Sequence, residues 1–119
     1  MLYKHFEENI FNDILRKSLN KKIITMNQYK LYLRQHDLSN IKFTDNGVGF
    51  YFDYNDVDDI DLNTSERKIL DGGNYISKSH PEIIVEIILF IIDNNISCME
   101  GQAYGNYINP IFFEDYVPI

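Results

Sequence analysis

Three histidines and a single cysteine are the side chains of this sequence best suited to act as bases, nucleophiles or zinc ligands. His5, His36 and His80 are scattered singly, and neither an HExxH nor a CxxC motif occurs. Zinc sites need such groups in close sets. Cys98 lies in a segment with a strand pattern, which favours an inert packed thiol over a nucleophile. His80 directly precedes a proline and is interpreted as a turn residue.

Carboxylates are the other groups that could do chemistry. No start in the Asp-rich stretch after Asp53 has the acids, glycine and final glutamate of an EF-hand at the required positions. Glu82, Glu86 and Glu100 could supply a glycosidase pair, but a chain this short leaves little room for a sugar cleft. Phosphate-binding glycine motifs and a GxSxG elbow are lacking. We expect no enzyme, metal or cofactor, with a small hydrolase using His80 or Cys98 as the less favoured alternative.

Charge is distributed unevenly along the 119 residues, whose formal net charge is −7. Residues 1–42 hold eight basic and four acidic residues, a net charge of +4. Residues 43–119 hold three basic and fourteen acidic residues, a net charge of −11. This excess argues against nucleic acid as a direct ligand. It is compatible with a solvated acidic loop or with a surface that binds a basic protein, where carboxylates can occupy a groove built for phosphates.

The hypothesis of a basic partner predicts an interface around the densest acidic stretch. Tyr51 and Tyr54 lie at the edge of this stretch as candidate aromatic anchors, although packing against a sheet is the alternative for Tyr54. The predicted interface comprises Tyr51, Asp53, Tyr54, Asp56, Asp58, Asp59, Asp61, Glu66 and Asp71.

Helical spacing dominates the start of the chain. Apolar residues recur at intervals of three and four over residues 2–19, which predicts an amphipathic helix with Glu7 and Glu8 in its favourable N-terminal half. A shorter helix is predicted from Met26 to Leu33, with Thr25 as its N-cap. The Asn46-Gly47 pair between residues 41–44 and 48–54 indicates a β-hairpin, with Val48, Phe50, Phe52 and Tyr54 on one face.

A second hairpin is predicted over residues 83–92 and 96–104. We expect a three-residue loop with Asn95 left-handed, which places Ile92 opposite Ile96 and Glu86 opposite Gln102. The core face then carries Val85, Ile87, Leu89, Ile91, Met99 and Ala103, with Gly101 leaving room for a helix. The apolar run of this hairpin, residues 83–92, is too short to span a membrane.

The rest of the chain has weaker patterns. Residues 55–81 lack periodicity, include an Asp71-Gly72-Gly73 turn, and are expected to form a long functional connection. The aromatic tail 106–119 is expected to pack along the surface. The length predicts one domain, residues 1–119. The predicted elements indicate an α+β class: an antiparallel sheet with the N-terminal helix and the second short helix on one face. A single cysteine and no signal-peptide pattern favour the cytoplasm.

The stretch IILFIIDNNISCMEGQAYG, residues 87–105, resembles the terminal hairpin of certain small bacterial proteins. Their second strand reads apolar-Ser-x-apolar-Glu and ends in Tyr-Gly, ahead of an aromatic tail containing proline. Several are immunity proteins of contact-dependent growth inhibition and related polymorphic toxin systems. The resemblance covers about the last third of the chain, which departs from it in having Asn95 instead of glycine.

This resemblance implies an intracellular inhibitor that binds a cognate toxin domain and blocks its active site. Such toxins are often nucleases with basic clefts, which fits the acidic part of this chain. The resemblance assigns no contact residue, so the predicted interface depends on charge alone. A small acidic adaptor that binds some other basic protein is the alternative; it predicts the same surface but no toxin gene alongside.

Overall fold

The computed structural model describes residues 3–45, 47–54, 66–104 and 116–119. Two helices come first in the chain, α1 (Tyr3–Asn20) and α2 (Met26–Leu38). The strands follow in the order β1 (Lys42–Asp45), β2 (Gly49–Asp53), β3 (Arg67–Ser77), β4 (Ile84–Ile92), β5 (Asn95–Tyr104) and β6 (Tyr116–Pro118).

The strands form one antiparallel sheet in the order β1-β2-β5-β4-β3-β6. The apolar sides of both helices pack into one core with alternate residues of the strands. This arrangement confirms the predicted α+β class with helices on one face of the sheet. No helix in the described ranges is long and apolar enough to cross a membrane.

Both predicted helices form, and the local sequence explains where α2 begins. Phe6, Ile10, Phe11, Ile14 and Leu15 of α1 are buried, as the apolar spacing predicts. In α2 the Thr25 hydroxyl accepts from the Gln28 backbone N–H, and the Gln28 side chain accepts from the Thr25 backbone N–H. This capping box satisfies two backbone donors at the helix start. The helix continues to Leu38, five residues beyond the predicted end.

The β4–β5 hairpin forms with the predicted pairing from Ile84 to Phe90, but the turn differs and Ile92 is not opposite Ile96 as predicted. Asp93 and Asn94, not Asn95, have positive φ, and Ile92 pairs with Asn95 across a two-residue loop. The predicted three-residue loop is therefore wrong. Ser97 forms a bulge, which restores the pairing of Ile88 with Glu100 and keeps Glu100 off the core face. The bulge also turns Ile96 inward beside Ile91, where it is fully buried.

Strand β3 was not predicted, because a bulge interrupts its alternation. Leu70 and Tyr75 are five residues apart, so an unbroken strand would point them to opposite faces. The extra residue at Gly72 brings both into the core. The Asp71-Gly72-Gly73 segment is therefore a bulge within a strand and not a turn between elements. A Cβ at Gly72 would lie 2.8 Å from the Ile87 carbonyl oxygen and 2.9 Å from Ile14 Cδ1, so α1 packs directly over it.

The first hairpin follows its prediction except at its turn. Phe50, Phe52 and Tyr54 are buried on the core face as expected, but Val48 is 64% exposed in the loop. The space over Gly101 is filled by the Phe50 ring and not directly by a helix. At the other edge, β6 pairs with β3, so this end of the tail packs as predicted. Residues 105–115 lie outside the described ranges.

Candidate functional site

The face of the sheet opposite the helices is the main candidate surface, and we call it the outer face. Cross-strand pairing arranges its residues in three rows running from β2 through β5 and β4 to β3. The first row is Asp53, Cys98, Phe90 and Ile69; the second is Tyr51, Glu100, Ile88 and Asp71; the third is Gly49, Gln102, Glu86 and Asn74. In the described part of the chain, no helix or strand packs over these rows.

Three residues of the predicted interface lie together on this outer face. Tyr51 and Asp71 are at opposite ends of the second row, about 14 Å apart from the usual spacing of strands. Asp53 is at the β2 end of the first row. Sheet topology therefore joins residues that are separated by up to twenty positions in sequence.

Glu66 does not join this surface. Its backbone N–H donates to Asp93 Oδ1 over 2.8 Å, which holds it at the β4–β5 turn. Its side chain lines a small cavity of about 120 Å³ beside α2, together with Tyr32, Lys68 and Asn94. Asp56, Asp58, Asp59 and Asp61 lie outside the described residues.

Tyr54 also departs from its predicted role as a surface anchor. Its ring is 3% exposed, and its hydroxyl donates to Glu7 Oε2 over 2.6 Å. Burial is the largest cause that raises the Tyr54 pKa well above its ordinary value, followed by the charge of Glu7 and this hydrogen bond. The structure therefore supports the alternative interpretation, in which Tyr54 packs inside the fold.

The outer face carries acidic residues that charge counting along the chain did not single out. Glu86 and Glu100 are diagonal neighbours on β4 and β5 and line one shallow depression with Ile88 and Gln102. The Tyr104 hydroxyl donates to Glu86 Oε2 over 2.6 Å. The predicted hairpin register already placed both acids off the core face. They were missed because acid density was counted along the sequence and not across strands.

Two described side chains of the outer face, Asp53 and Cys98, have raised pKa values, mainly because they are partly buried. Burial raises the pKa of Asp53, and the neighbouring Lys42 partly offsets this effect. Burial is also the main cause that raises the Cys98 pKa to about 12, with contributions from Asp53 and Glu100. The thiol therefore stays protonated at neutral pH, which makes it a poor nucleophile.

A buried network of Glu7, His36 and Tyr54 joins α1, α2 and the end of β2. His36 Nε2 lies 2.9 Å from Glu7 Oε1 and 2.8 Å from Oε2, and its ring stacks on Phe11 with centroids 4.2 Å apart. Glu7 is 1% exposed, a burial that its predicted place in the N-terminal half of the helix did not indicate. A signal was present, because Glu7 is one helical turn from Tyr3 and Phe11.

A pocket of about 430 Å³ lies beside this network, between the start of α1 and the α2–β1 connection. It is lined by Tyr3, Lys4, Glu7, Ser39, Asn40 and Ile41. Both oxygens of the Glu7 carboxylate are already hydrogen-bonded to His36 and Tyr54. The network therefore serves first to hold three elements together.

The two residues of the alternative hydrolase hypothesis are far apart. Cys98 is opposite Phe90, six residues along β4 from Ile84, which is about 20 Å in an extended strand. His80 lies before that end of β4, and its Nδ1 is 3.5 Å from Glu82 Oε1. The structure does not bring them together as a catalytic pair. Within the described ranges, no group of three His, Cys, Asp or Glu residues could hold a metal ion.

Comparisons with protein families, with curated proteins and with solved structures found no match for this chain.

Proposed function

We propose that this chain is a cytoplasmic immunity protein that binds the toxin domain of a polymorphic toxin system and blocks its active site. The observation that carries the proposal is the charge polarity of the chain. Residues 43–119 hold fourteen acidic and three basic residues, and among the described acids four lie on the outer face of the sheet: Asp53, Asp71, Glu86 and Glu100. The resemblance of the 87–105 hairpin to immunity proteins supports the same function.

The mechanism follows from electrostatics and needs no catalysis by this chain. A nuclease cleft carries Lys and Arg side chains that bind phosphates, and the same side chains bind carboxylates through charge-assisted hydrogen bonds. An acidic protein is steered towards such a cleft over long distances. Once bound, it excludes the nucleic acid both by occupying space and by replacing the phosphates with its own carboxylates.

The test uses the effector domain encoded by the reading frame next to this gene. Co-expression of the two proteins should restore growth of cells that the effector alone kills, and the purified proteins should form a complex. We expect the association rate to fall at least about tenfold when the salt concentration is raised from low to physiological values. An effector that kills equally with and without this chain would refute the proposal.

A second experiment tests the acidic stretch itself. Reversal of Asp56, Asp58, Asp59 and Asp61 to Lys changes four charges in a segment of six residues. If this segment occupies the toxin cleft, protection is lost while the far-ultraviolet circular dichroism spectrum is kept. Unchanged protection would place the contact elsewhere on the molecule.

A further inference from the structure

Strand β4 has the sequence of a strand whose two faces are both covered. Eight of the nine residues of IVEIILFII are apolar, and Glu86 is the exception. An antiparallel strand with one solvated face normally alternates apolar and polar residues. Here the core face takes Val85, Ile87, Leu89 and Ile91, and the outer face still receives Ile84, Ile88 and Phe90.

Neighbouring strands extend this apolar surface. Ile69 and Ile76 of β3 pair with Phe90 and Ile84, and Ile69 is 57% exposed. Tyr51 lies on β2, at the opposite side of the outer face from β3. Tyr104 is the last residue of β5, opposite Ile84, and is 50% exposed. These side chains form two groups, one on each side of the polar third row. Large, partly exposed apolar and aromatic side chains of this kind are typical of a surface that binds another protein.

Carboxylates surround the apolar centre of the outer face. Asp53, Glu100, Asp71 and Glu86 lie on four different strands around Ile88 and Phe90: Asp53 on β2, Glu100 on β5, Asp71 on β3 and Glu86 on β4. Among the described residues, the basic residues on the strands of this face are Lys42 and Arg67, and both lie at its margins. Charged residues at the rim of an apolar centre select a partner by the sign of its charge.

We infer that the outer face is the docking surface of this protein, and that its partner presents an apolar side chain ringed by Lys and Arg. This inference rests on the proposed function and names the surface through which it acts. A second copy of this chain is disfavoured as the occupant, because it would bring the same four carboxylates against their counterparts. The cleft of a basic toxin domain has the required charge.

The decisive variant reverses two of the charges that surround the apolar centre of the outer face. Glu86→Lys and Glu100→Lys together change the net charge by +4. The matched control, Glu8→Lys with Asp37→Lys, changes it equally at exposed positions on the two helices. We expect the outer-face variant to bind the effector at least about 30-fold more weakly than wild type, and the control to stay within about threefold.

The outcomes separate this inference from the proposed function. If wild type binds the effector and the two variants lose affinity equally, or neither loses it, the outer face is not the interface while the proposed function stands. If wild type does not bind the effector at all, the proposed function fails, and the surface is judged by the next experiment.

That experiment needs no effector. A ten-residue oligolysine peptide and the same peptide with a central tryptophan are titrated against wild-type protein labelled with ¹⁵N. We expect amide shifts on the outer-face strands, around Tyr51, Ile88 and Glu100, and tighter binding of the tryptophan peptide. Shifts confined to residues 55–65 or to the helices, or equal affinities of the two peptides, would overturn the inference.

A further variant tests the apolar centre. Phe90→Ser removes the largest apolar side chain of the first row and leaves all carboxylates in place. The tryptophan peptide should lose its advantage over plain oligolysine in a variant whose thermal melt remains cooperative. If Phe90→Ser does not fold, Ile69→Ser at the more exposed end of the same row provides the same comparison. A retained advantage in a folded variant would contradict the role of this row.

Discussion

Glu7 shows how a single buried carboxylate can connect three elements. Its two oxygens face His36 Nε2 and the Tyr54 hydroxyl, so α1 is joined to α2 and to the end of β2. A buried carboxylate is costly unless its oxygens accept hydrogen bonds. No buried side-chain nitrogen or oxygen of the described residues lacks a partner. Tyr54 also directly precedes the acidic stretch, so this network fixes the point from which that stretch departs.

Tyr54→Phe removes one hydrogen bond from this carboxylate and leaves the ring in place. We expect the free energy of unfolding to fall by roughly 1.5–3 kcal/mol, the range for hydrogen bonds to charged groups. Tyr51→Phe is the matched control, because it removes the same atom from the outer face, and it should cost less than about 0.5 kcal/mol. Urea unfolding of both variants makes the comparison. Equal losses would mean that the Tyr54–Glu7 bond contributes nothing specific.

The raised pKa of Cys98 predicts that the folded protein loses stability in alkaline solution. Its pKa rises from an ordinary 9.0 to about 12 in the folded protein. Between these values the unfolded chain has lost the thiol proton and the folded chain keeps it, so stability is complete below pH 9 and falls as pH rises towards 12. The loss is at most about 1.4 kcal/mol per pH unit.

Cys98→Ala removes this contribution, together with the smallest of the causes that raise the Tyr54 pKa, while the larger ones, burial and Glu7, remain. Urea unfolding between about pH 8 and pH 10 should therefore show a shallower loss of stability in the variant than in wild type. Parallel curves for the two proteins would show that the thiol ionises alike in the folded and unfolded states.

At the scale of elements, sequence periodicity succeeded wherever the period was unbroken. The i, i+3, i+4 spacing of α1 and the alternation of β2 predicted both elements and their buried faces. Strand β3 was missed because the bulge at Gly72 shifts the period between Leu70 and Tyr75. The burial of Ile96 was not predicted for the same reason. The bulge at Ser97 lets Ile96 and Met99 share the core face although they are three residues apart.

The candidate surface was predicted only in part, for a related reason. Tyr51, Asp53 and Asp71 do share the outer face, but Glu86 and Glu100 reach it through strand order and not through sequence proximity. With β3 interpreted as a loop, nothing indicated that Asp71 lies in the same row as Tyr51. Strand order depends on contacts between distant residues, which the local patterns of one sequence do not contain.

The packing of β2 against β5 depends on the absence of a side chain at Gly101. A Cβ at this position would overlap the Phe50 ring, which packs against Phe6 of α1. We expect Gly101→Ala to lower the free energy of unfolding by about 1–3 kcal/mol through overpacking. The double variant with Phe50→Leu should lose less than the sum of the two single variants, because leucine vacates the ring position. A sum that holds within about 0.5 kcal/mol would show that the residues are not coupled.

At the scale of the whole molecule, the fold converts charge asymmetry along the chain into charge asymmetry in space. Residues 1–42, with a net charge of +4, include both helices, and the helices cover one face of the sheet. The strands that carry the described acids belong to the part with a net charge of −11. A basic protein is therefore attracted to one side of the molecule more than to the other, which orients its approach before contact.

The same asymmetry should make stability depend on salt. The acidic side chains of residues 43–119 repel one another in the folded state. As salt increases from about 0.01 M to about 0.1 M, the Debye length falls from about 30 Å to about 10 Å. This screening should raise the melting temperature. Glu86→Lys with Glu100→Lys should flatten this response, because it removes repulsion within the acidic part. Glu8→Lys with Asp37→Lys should retain it, although the net charge is the same, since those changes fall in the part that is already basic. Calorimetric melts at several salt concentrations distinguish the two variants, and a wild-type melting temperature that falls with added salt would contradict the role given to acidic repulsion.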